Sequence, residues 1–345
     1  MEFIQLCTHS YRVHLPGTLS ALRPREGFLV RVEWPTRDSS LPPIRGYADL
    51  MAWPELGDLT IHEEIQAILR GTPTTLGRRV LEMAQTDALA RDAEKSLWTG
   101  LGEPPASHFL AGSISDLLSL DVESVRSRGF RSIKVKWPSS VSVVSGAEIL
   151  TRILTPLREA GLRLRLDFNG SADLEPLAAC FERWPEIRET LEFLEDPFPS
   201  EMPDWWKAFR ERVPGIALYA DRVEAEDEEL LALADGWVIK PALQGIEWIS
   251  RAREFGGNPK PLSFTQYLGH AVGAAWAAWH AAQASPDQLQ DSGLLFESRI
   301  EGESAVLGEA LAASGSIFPT ARLREGQGIG WSEAEFASLT WRPWQ

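Results

Sequence analysis

Arg131-Ser132-Ile133-Lys134-Val135-Lys136-Trp137 is the stretch from which the fold can be read. It is a short, partly apolar run with two lysines near its end. A strand buried on both faces should be apolar throughout, so charges placed there need an explanation. Working outward, runs of the same kind recur. His108–Gly112 comes before it; Leu162–Phe168, Leu191–Asp196, Ile216–Asp221, Gly236–Lys240, Lys260–Phe264 and Leu294–Glu297 come after it. Helix candidates lie between them, among them Ser115–Arg128, Ala147–Ala160 and Ala225–Ala234. Short strands alternating with helices predict an α/β chain built as a (β/α)8-type barrel. A doubly wound open sheet is the competing reading.

The first hundred residues have a different texture. Gly27–Trp34 alternates apolar and polar side chains, as a half-buried strand does, with Pro24 before it and Pro35 to Pro43 after it. Thr60–Leu69 places Ile61, Ile65, Ile68 and Leu69 at helical spacing, and Val80–Ala93 predicts a second helix. Strands followed by helices predict a separate N-terminal α+β unit. The expected boundaries are residues 1–104 for this unit and 105–317 for the barrel, with 318–345 packing back on the first unit.

Bulk properties exclude several classes. A formal net charge of −15 over 345 residues repels nucleic acid and anionic membranes. Cys7 and Cys180 are far apart and outside any Cys-x-x-Cys pattern, which argues against a disulfide framework and a zinc-thiolate site. The opening Met1-Glu2-Phe3-Ile4-Gln5 carries an acid where a leader would carry base, so a cytoplasmic location is expected. Ala271 to Ala284 is too short to span a bilayer and reads as a buried helix. Oligomeric state cannot be read from the chain.

The charged strand ends carry the chemistry. In a parallel barrel the C-terminal ends of the strands converge on one face, where active sites form. Lys134 and Lys136, two apart in a strand, share a side. Asp167 and Asn169, Glu195 with Asp196, Asp221 and Lys240 close the following runs. Three carboxylates, Asp167, Glu195 and Asp221, gathered around one point repel unless a cation lies between them. Oxygen-only ligation suits a hard ion, Mg2+ first and Mn2+ second. Lys136 and Lys240 flank that point, and a lysine beside other positive charge has a lowered pKa and can serve as a base. The reaction class this suggests is removal of a proton next to a carboxylate, on a small-molecule substrate. Each residue also has a plainer reading: Lys136 as a snorkelling strand-end lysine, Asp167 as a turn residue, Asp196 as structural. The glycines 326, 328 and 330 mimic a nucleotide fingerprint but open no βαβ unit, so a structural role is expected. His108 and His270 lack metal-ligand spacing and read as structural.

These residues also resemble a family. Ile133-Lys134-Val135-Lys136 resembles the Lys-x-Lys motif of the enolase superfamily's muconate-lactonizing branch. Leu166-Asp167-Phe168-Asn169 resembles its Asp-x-Asn motif, and Phe193-Leu194-Glu195-Asp196-Pro197 its Glu-[Glu/Asp]-Pro motif. Val238-Ile239-Lys240-Pro241 with Gln244-Gly245, and Gly326-Gln327-Gly328-Ile329-Gly330, complete the set in order. The resemblance implies a modified TIM barrel under an N-terminal capping domain. Within the branch the chain is most similar to the o-succinylbenzoate synthases. That implies a metal-dependent lyase in which Lys136 abstracts the proton α to a carboxylate and then protonates the departing hydroxyl. Lys240 would stabilise the enolate, and Lys134 would help set the pKa of Lys136. Asp221 is followed by Arg222, and Ser263-Phe264-Thr265-Gln266-Tyr267 replaces a serine-rich stretch; both depart from the pattern. Ser263 and Thr265 could still donate to a substrate carboxylate, and Arg25 and the loops around Leu22–Gly27 and Ala48–Trp53 are placed near the site by analogy. The alternatives are a racemase of N-acylamino acids, which needs the same two lysines, and a non-catalytic binding protein on this fold. The Asp-x-Asp of dipeptide epimerases is missing.

Overall fold

The computed structural model describes residues 3–15, 24–36, 40–221, 227–255, 258–295, 299–309, 311 and 315–344. The N-terminal part is an antiparallel sheet of β1 (Gln5–His14), β2 (Arg25–Trp34) and β3 (Ile44–Leu50). Two helices follow, α1 (Ile61–Leu69) and α2 (Thr75–Asp92). Thr60 and Glu63 form a reciprocal capping box at the start of α1. The second helix begins five residues before the expected Val80, because the Thr74 hydroxyl accepts from Gly77 N–H and caps an extra turn. β3 lies close against α2. A β-carbon on Gly46 would stand 1.8 Å from the Ala84 carbonyl oxygen, so only glycine permits this approach.

The second sheet is parallel, and its strands lie side by side in chain order: β4 (Phe109–Ala111), β5 (Ser132–Lys136), β6 (Arg163–Asp167), β7 (Leu191–Glu195), β8 (Leu218–Asp221), β9 (Gly236–Ile239) and β10 (Leu262–Phe264). The eighth stave differs from the expected Leu294–Glu297. Isolated parallel bridges join Leu289 to Leu262, Ser292 to Ser107 and Gly293 to Thr265, closing the gap between β10 and β4. The apolar Leu294-Leu295 pair drew the expectation, but both amides bond the Ser107 hydroxyl instead of a neighbouring strand. Residues 296–298 of that run lie outside the described residues. Two of the expected helices are broken. Ser115–Arg128 becomes Ile114–Leu118 and Val122–Ser127, with Asp121 capping the second. Ala147–Ala160 becomes Val143–Leu150 and Leu154–Glu159.

The chain then returns to the first sheet. β11 (Arg299–Glu301) and β12 (Arg342–Pro343) both pair with β1, at Arg12–His14 and at Cys7–Thr8. The glycine segment near the end is structural. Asp87 on α2, fully buried, accepts from Ile329 N–H at 2.7 Å, from Tyr47 N–H at 3.0 Å and from Arg91 at 2.6 Å. The Trp98 indole donates to the Ile329 carbonyl.

Cap and barrel meet at Asp49. Its carboxylate accepts from Tyr11 Oη at 2.6 Å and from His270 N–H at 2.8 Å, at the start of the buried helix Ala271–Ala281. Gly269 and Gly273 leave room for it: a β-carbon on either would fall within 2.4 Å of Asp49 Oδ2. Burial pushes the Asp49 carboxyl up to about 7 despite those two bonds.

Candidate active site

The C-terminal ends of β5 to β9 bring the predicted residues together. Lys136 pairs in register with Asp167, and Asp167 with Glu195. Glu195 pairs with Tyr219, so Asp221 stands two residues further along β8 on the same face. Lys240 follows β9 directly, four strands from Lys136 in the sheet order. Lys134, Lys136, Asp167, Lys240 and Thr265 line one cavity, together with His108, Leu110, Gln266, Tyr267 and Gly293. Trp53 and Leu56 of the cap lie over it. Its free space is about 50 Å3, room for only a few water molecules.

Two ammonium groups hold all three carboxylates. Lys134 Nζ lies 2.6 Å from Glu195 Oε1 and 3.0 Å from Asp167 Oδ2. Lys240 Nζ pairs with Asp221 Oδ2. Asn169, in the left-handed region at φ 46°, donates its backbone N–H to Asp167 Oδ1 at 3.1 Å while its side chain is exposed. Asp196, also left-handed at φ 39°, accepts from Asp221 N–H at 2.8 Å. These two non-glycine residues are of the types that tolerate this conformation best.

The electrostatics separate the two lysines of β5. Burial works against the Lys134 charge, but Asp167, Glu195 and Asp221 outweigh it and raise its pKa. For Lys136 burial dominates, Lys134 and Lys240 add to it, and the pKa falls despite Asp167 and Glu195. Lys136 therefore has the character of a base and Lys134 that of a fixed cation. Burial and repulsion from Asp167 push the Glu195 carboxyl up to about 7, against the pull of Lys134. Burial also acts to raise Asp167, but Lys134, Lys136 and Lys240 hold it below the usual range.

As these side chains stand, no three Asp, Glu, His or Cys groups among the described residues are arranged to hold a metal ion. Lys134 and Lys240 supply the countercharge instead. The donor chemistry nevertheless fits a hard cation. The site offers carboxylate oxygens and no sulfur, and Asp221 Oδ1 is buried without a hydrogen-bond partner among the described residues.

The remaining predicted residues fall at different distances from the cavity. Thr265 lines it, and its hydroxyl is buried without a partner among the described residues. Ser263 Oγ is turned to the Asp291 carbonyl at 2.9 Å. Arg25 is buried over the Trp53 ring at 3.9 Å, bonded to the Ala52 carbonyl and paired with Glu55. It supports the stretch that carries Trp53 and Leu56. Leu22 and Arg222 lie outside the described residues. The Trp53 indole donates to the Tyr267 carbonyl at 2.9 Å, and Asp58 accepts from both Tyr267 Oη at 2.7 Å and Trp53 N–H at 2.8 Å. Tyr267 thus clasps the cap to the barrel rim.

His108 and Arg165 were missed as neighbours of the site. Arg165 is fully buried, bidentate to Glu192 and bonded to the Asp291 carbonyl and His108 Nδ1. The available signal was period two: Arg165 precedes Asp167 by two, and His108 precedes Leu110 by two. Burial, Arg165 and Lys134 hold the His108 imidazole well below its usual pKa, so it is neutral.

Residues 6–90 match the family model described as O-succinylbenzoate synthase, N-terminal domain. The chain is 29% identical over 327 residues to o-succinylbenzoate synthase of Bdellovibrio bacteriovorus, covering 93% of this chain and 92% of that one. Among solved structures, it superposes on muconate lactonizing enzyme from Pseudomonas putida with a TM-score of 0.68 at 15% identity, covering 85% and 88% of the two chains. A putative mandelate racemase/muconate lactonizing enzyme from Sorangium cellulosum gives 0.68 at 20% identity, covering 85% and 89%. By these matches the chain is similar to the o-succinylbenzoate synthases, and it has the fold of the enolase superfamily's muconate-lactonizing branch. Enolase-superfamily members work with a divalent metal ion. The antiparallel cap over a curled parallel sheet is the superfamily architecture. Among the described residues no helix is long and apolar enough to cross a membrane.

Proposed function

We propose that this chain is an o-succinylbenzoate synthase. It would dehydrate 2-succinyl-6-hydroxy-2,4-cyclohexadiene-1-carboxylate to 2-succinylbenzoate by syn elimination, a step of menaquinone biosynthesis. The observation that carries this reading is the cavity shared by Lys136 and Lys240, in which burial lowers the pKa of Lys136. The full-length likeness to a relative of that name supports it.

Lys136, neutral, takes the proton α to the ring carboxylate. The electrons of that C–H bond become a ring double bond as the C–O bond to the hydroxyl breaks. Lys136, now an ammonium on the same face, returns the proton and the hydroxyl leaves as water. Lys240, four strands away, presents a positive charge from the opposite side as negative charge builds on the carboxylate. With burial, the charge of Lys134 keeps Lys136 neutral, and so able to accept a proton, at lower pH. Mg2+, with Mn2+ second, is the ion the donor set suits. Asp167, Glu195 and Asp221 would hold it, and when bound it supplies positive charge that stabilises the developing carboxylate charge. Holding it requires the carboxylates to turn away from Lys134 and Lys240.

The test is formation of 2-succinylbenzoate by the purified protein, with and without EDTA, and by Lys136→Ala and Lys240→Ala. Loss of product with EDTA and in both variants is expected. Undiminished turnover in the variants would end the reading. The same pair of lysines supports a racemase of N-acylamino acids as a second reading. Deuterium from solvent in both enantiomers would establish it, and absence of exchange would eliminate it.

A further inference from the structure

The buried pair of Arg165 and His108 has no part in the proton transfer just described, yet His108 borders the same cavity as Lys136 and Lys240. An arginine side chain only donates, because its guanidinium carries no acceptor and does not deprotonate in proteins. Its contact of 3.1 Å with His108 Nδ1 therefore makes Nδ1 the acceptor. The proton of the neutral ring is then on Nε2. Arg165 itself cannot shift, since Glu192 grips it in a bidentate pair and the Asp291 carbonyl takes a third bond at 2.6 Å.

The Nε2–H end faces the eighth stave. A β-carbon placed on Gly293 would stand 3.1 Å from His108 Nε2 and 2.8 Å from Thr265 Cγ2, so both side chains converge where Gly293 has none. It is the Thr265 methyl that comes nearest this point; the hydroxyl of the same side chain, which also lines the cavity, is buried without a partner among the described residues. A buried hydroxyl left unbonded is costly, and a ligand that accepts from it removes the cost. Two neutral donors lining one cavity fit oxygen acceptors of a ligand. They also suit a site that already holds Lys134 and Arg165, where an imidazolium would be repelled from both.

We infer that His108 is a further substrate-contacting residue, fixed by Arg165 as the Nε2–H tautomer and donating to a carbonyl or carboxylate oxygen of the substrate in the cavity that Thr265 also lines. Arg165 is a positioning residue that acts through His108. The identity of the substrate rests on the o-succinylbenzoate synthase reading; the tautomer does not.

Two measurements test this. The first is 15N NMR of histidine-labelled protein, with the His108 signals assigned by their loss in His108→Gln. The unliganded protein should show the Nε2–H tautomer, and 2-succinylbenzoate added with Mg2+ should shift the Nε2 resonance. The second is steady-state kinetics. His108→Phe should raise KM about 3- to 10-fold with little change in kcat, as loss of one uniform hydrogen bond does. His108→Gln, which keeps an N–H at nearly the same place, should recover most of that. The proposal is overturned if the ring is protonated on Nδ1, if the product leaves the Nε2 resonance unmoved, or if Phe and Gln behave alike. A protein that turns over no substrate sinks the functional reading, while the product titration still decides whether His108 is a contact.

Discussion

Lys134 Nζ stands 2.6 Å from Glu195 Oε1, in a pocket where both side chains are almost wholly buried. The ammonium also reaches Asp167 at 3.0 Å. Breaking such a pair by removing one partner strands the other charge in low dielectric. Lys134→Met should therefore destabilise the EDTA-treated protein by about 3–5 kcal/mol in urea unfolding. Mg2+ should restore part of that difference, because a cation among the same acids replaces the lost charge. A variant as stable as wild type in EDTA would contradict the pairing.

The two proposed catalytic lysines should separate in stability while agreeing in activity. Lys136→Met removes an ammonium whose charge burial already disfavours, so the fold should lose little or gain. Lys240→Met leaves buried Asp221 without its ion pair, and the melting temperature should fall. Both variants should lose on the order of 10²–10⁴-fold in kcat, the usual span for a positioned acid or base. Calorimetry beside the dehydration assay checks both halves.

Asp49 links stability to pH at the seam of cap and barrel. Its folded pKa of about 7 lies above the ordinary 3.8, so the folded protein binds the proton more tightly than the unfolded chain. That contribution is complete below about 4 and is lost as pH rises through about 7. Asp49→Asn keeps an acceptor for His270 N–H and has no charge to bury. The stability of Asp49→Asn relative to wild type should thus increase between pH 4 and pH 8. Parallel melting curves for the two proteins across that range would contradict it.

The clasp at Tyr267 should govern how firmly the cap covers the cavity. Tyr267→Phe removes the bond to Asp58 and keeps the ring against Trp53. A loss of about 1 kcal/mol in stability is expected, with a several-fold rise in KM. An unchanged KM would show that Trp53 is held over the cavity without that hydroxyl.

Asp167, Glu195, Asp221 and Lys240 were legible because each ends an apolar run, and a charge in that place is hard to explain otherwise. The same rule hid Arg165, which lies inside its run and is satisfied by Glu192 and a backbone carbonyl far along the chain. His108 was read as structural because it lacks metal-ligand spacing, and a contact with substrate was not weighed for it. Its actual partner is 57 positions away and is an arginine. The eighth stave was misplaced by a few residues because the apolar Leu294-Leu295 pair outweighed Ser292 and Gly293, which make the bridges. The clasp joins Asp58 to Tyr267 across 209 positions, and no periodicity in either segment announces that meeting. The pairing of Lys134 with both acids was also unread, since spacing gives the face of a strand but not which neighbour a flexible ammonium selects.

The edge of β1 is completed by segments made very late. Arg299–Glu301 and Arg342–Pro343 hydrogen-bond to strand residues between Cys7 and His14, so during synthesis the ribosome must deliver the whole barrel before the opening strand gains its outer neighbours. Until then that edge offers unpaired amides and carbonyls to any passing strand. β1 is thus sealed only after the barrel strands that follow it have been made, and the interval before sealing is when nascent copies are most exposed to one another.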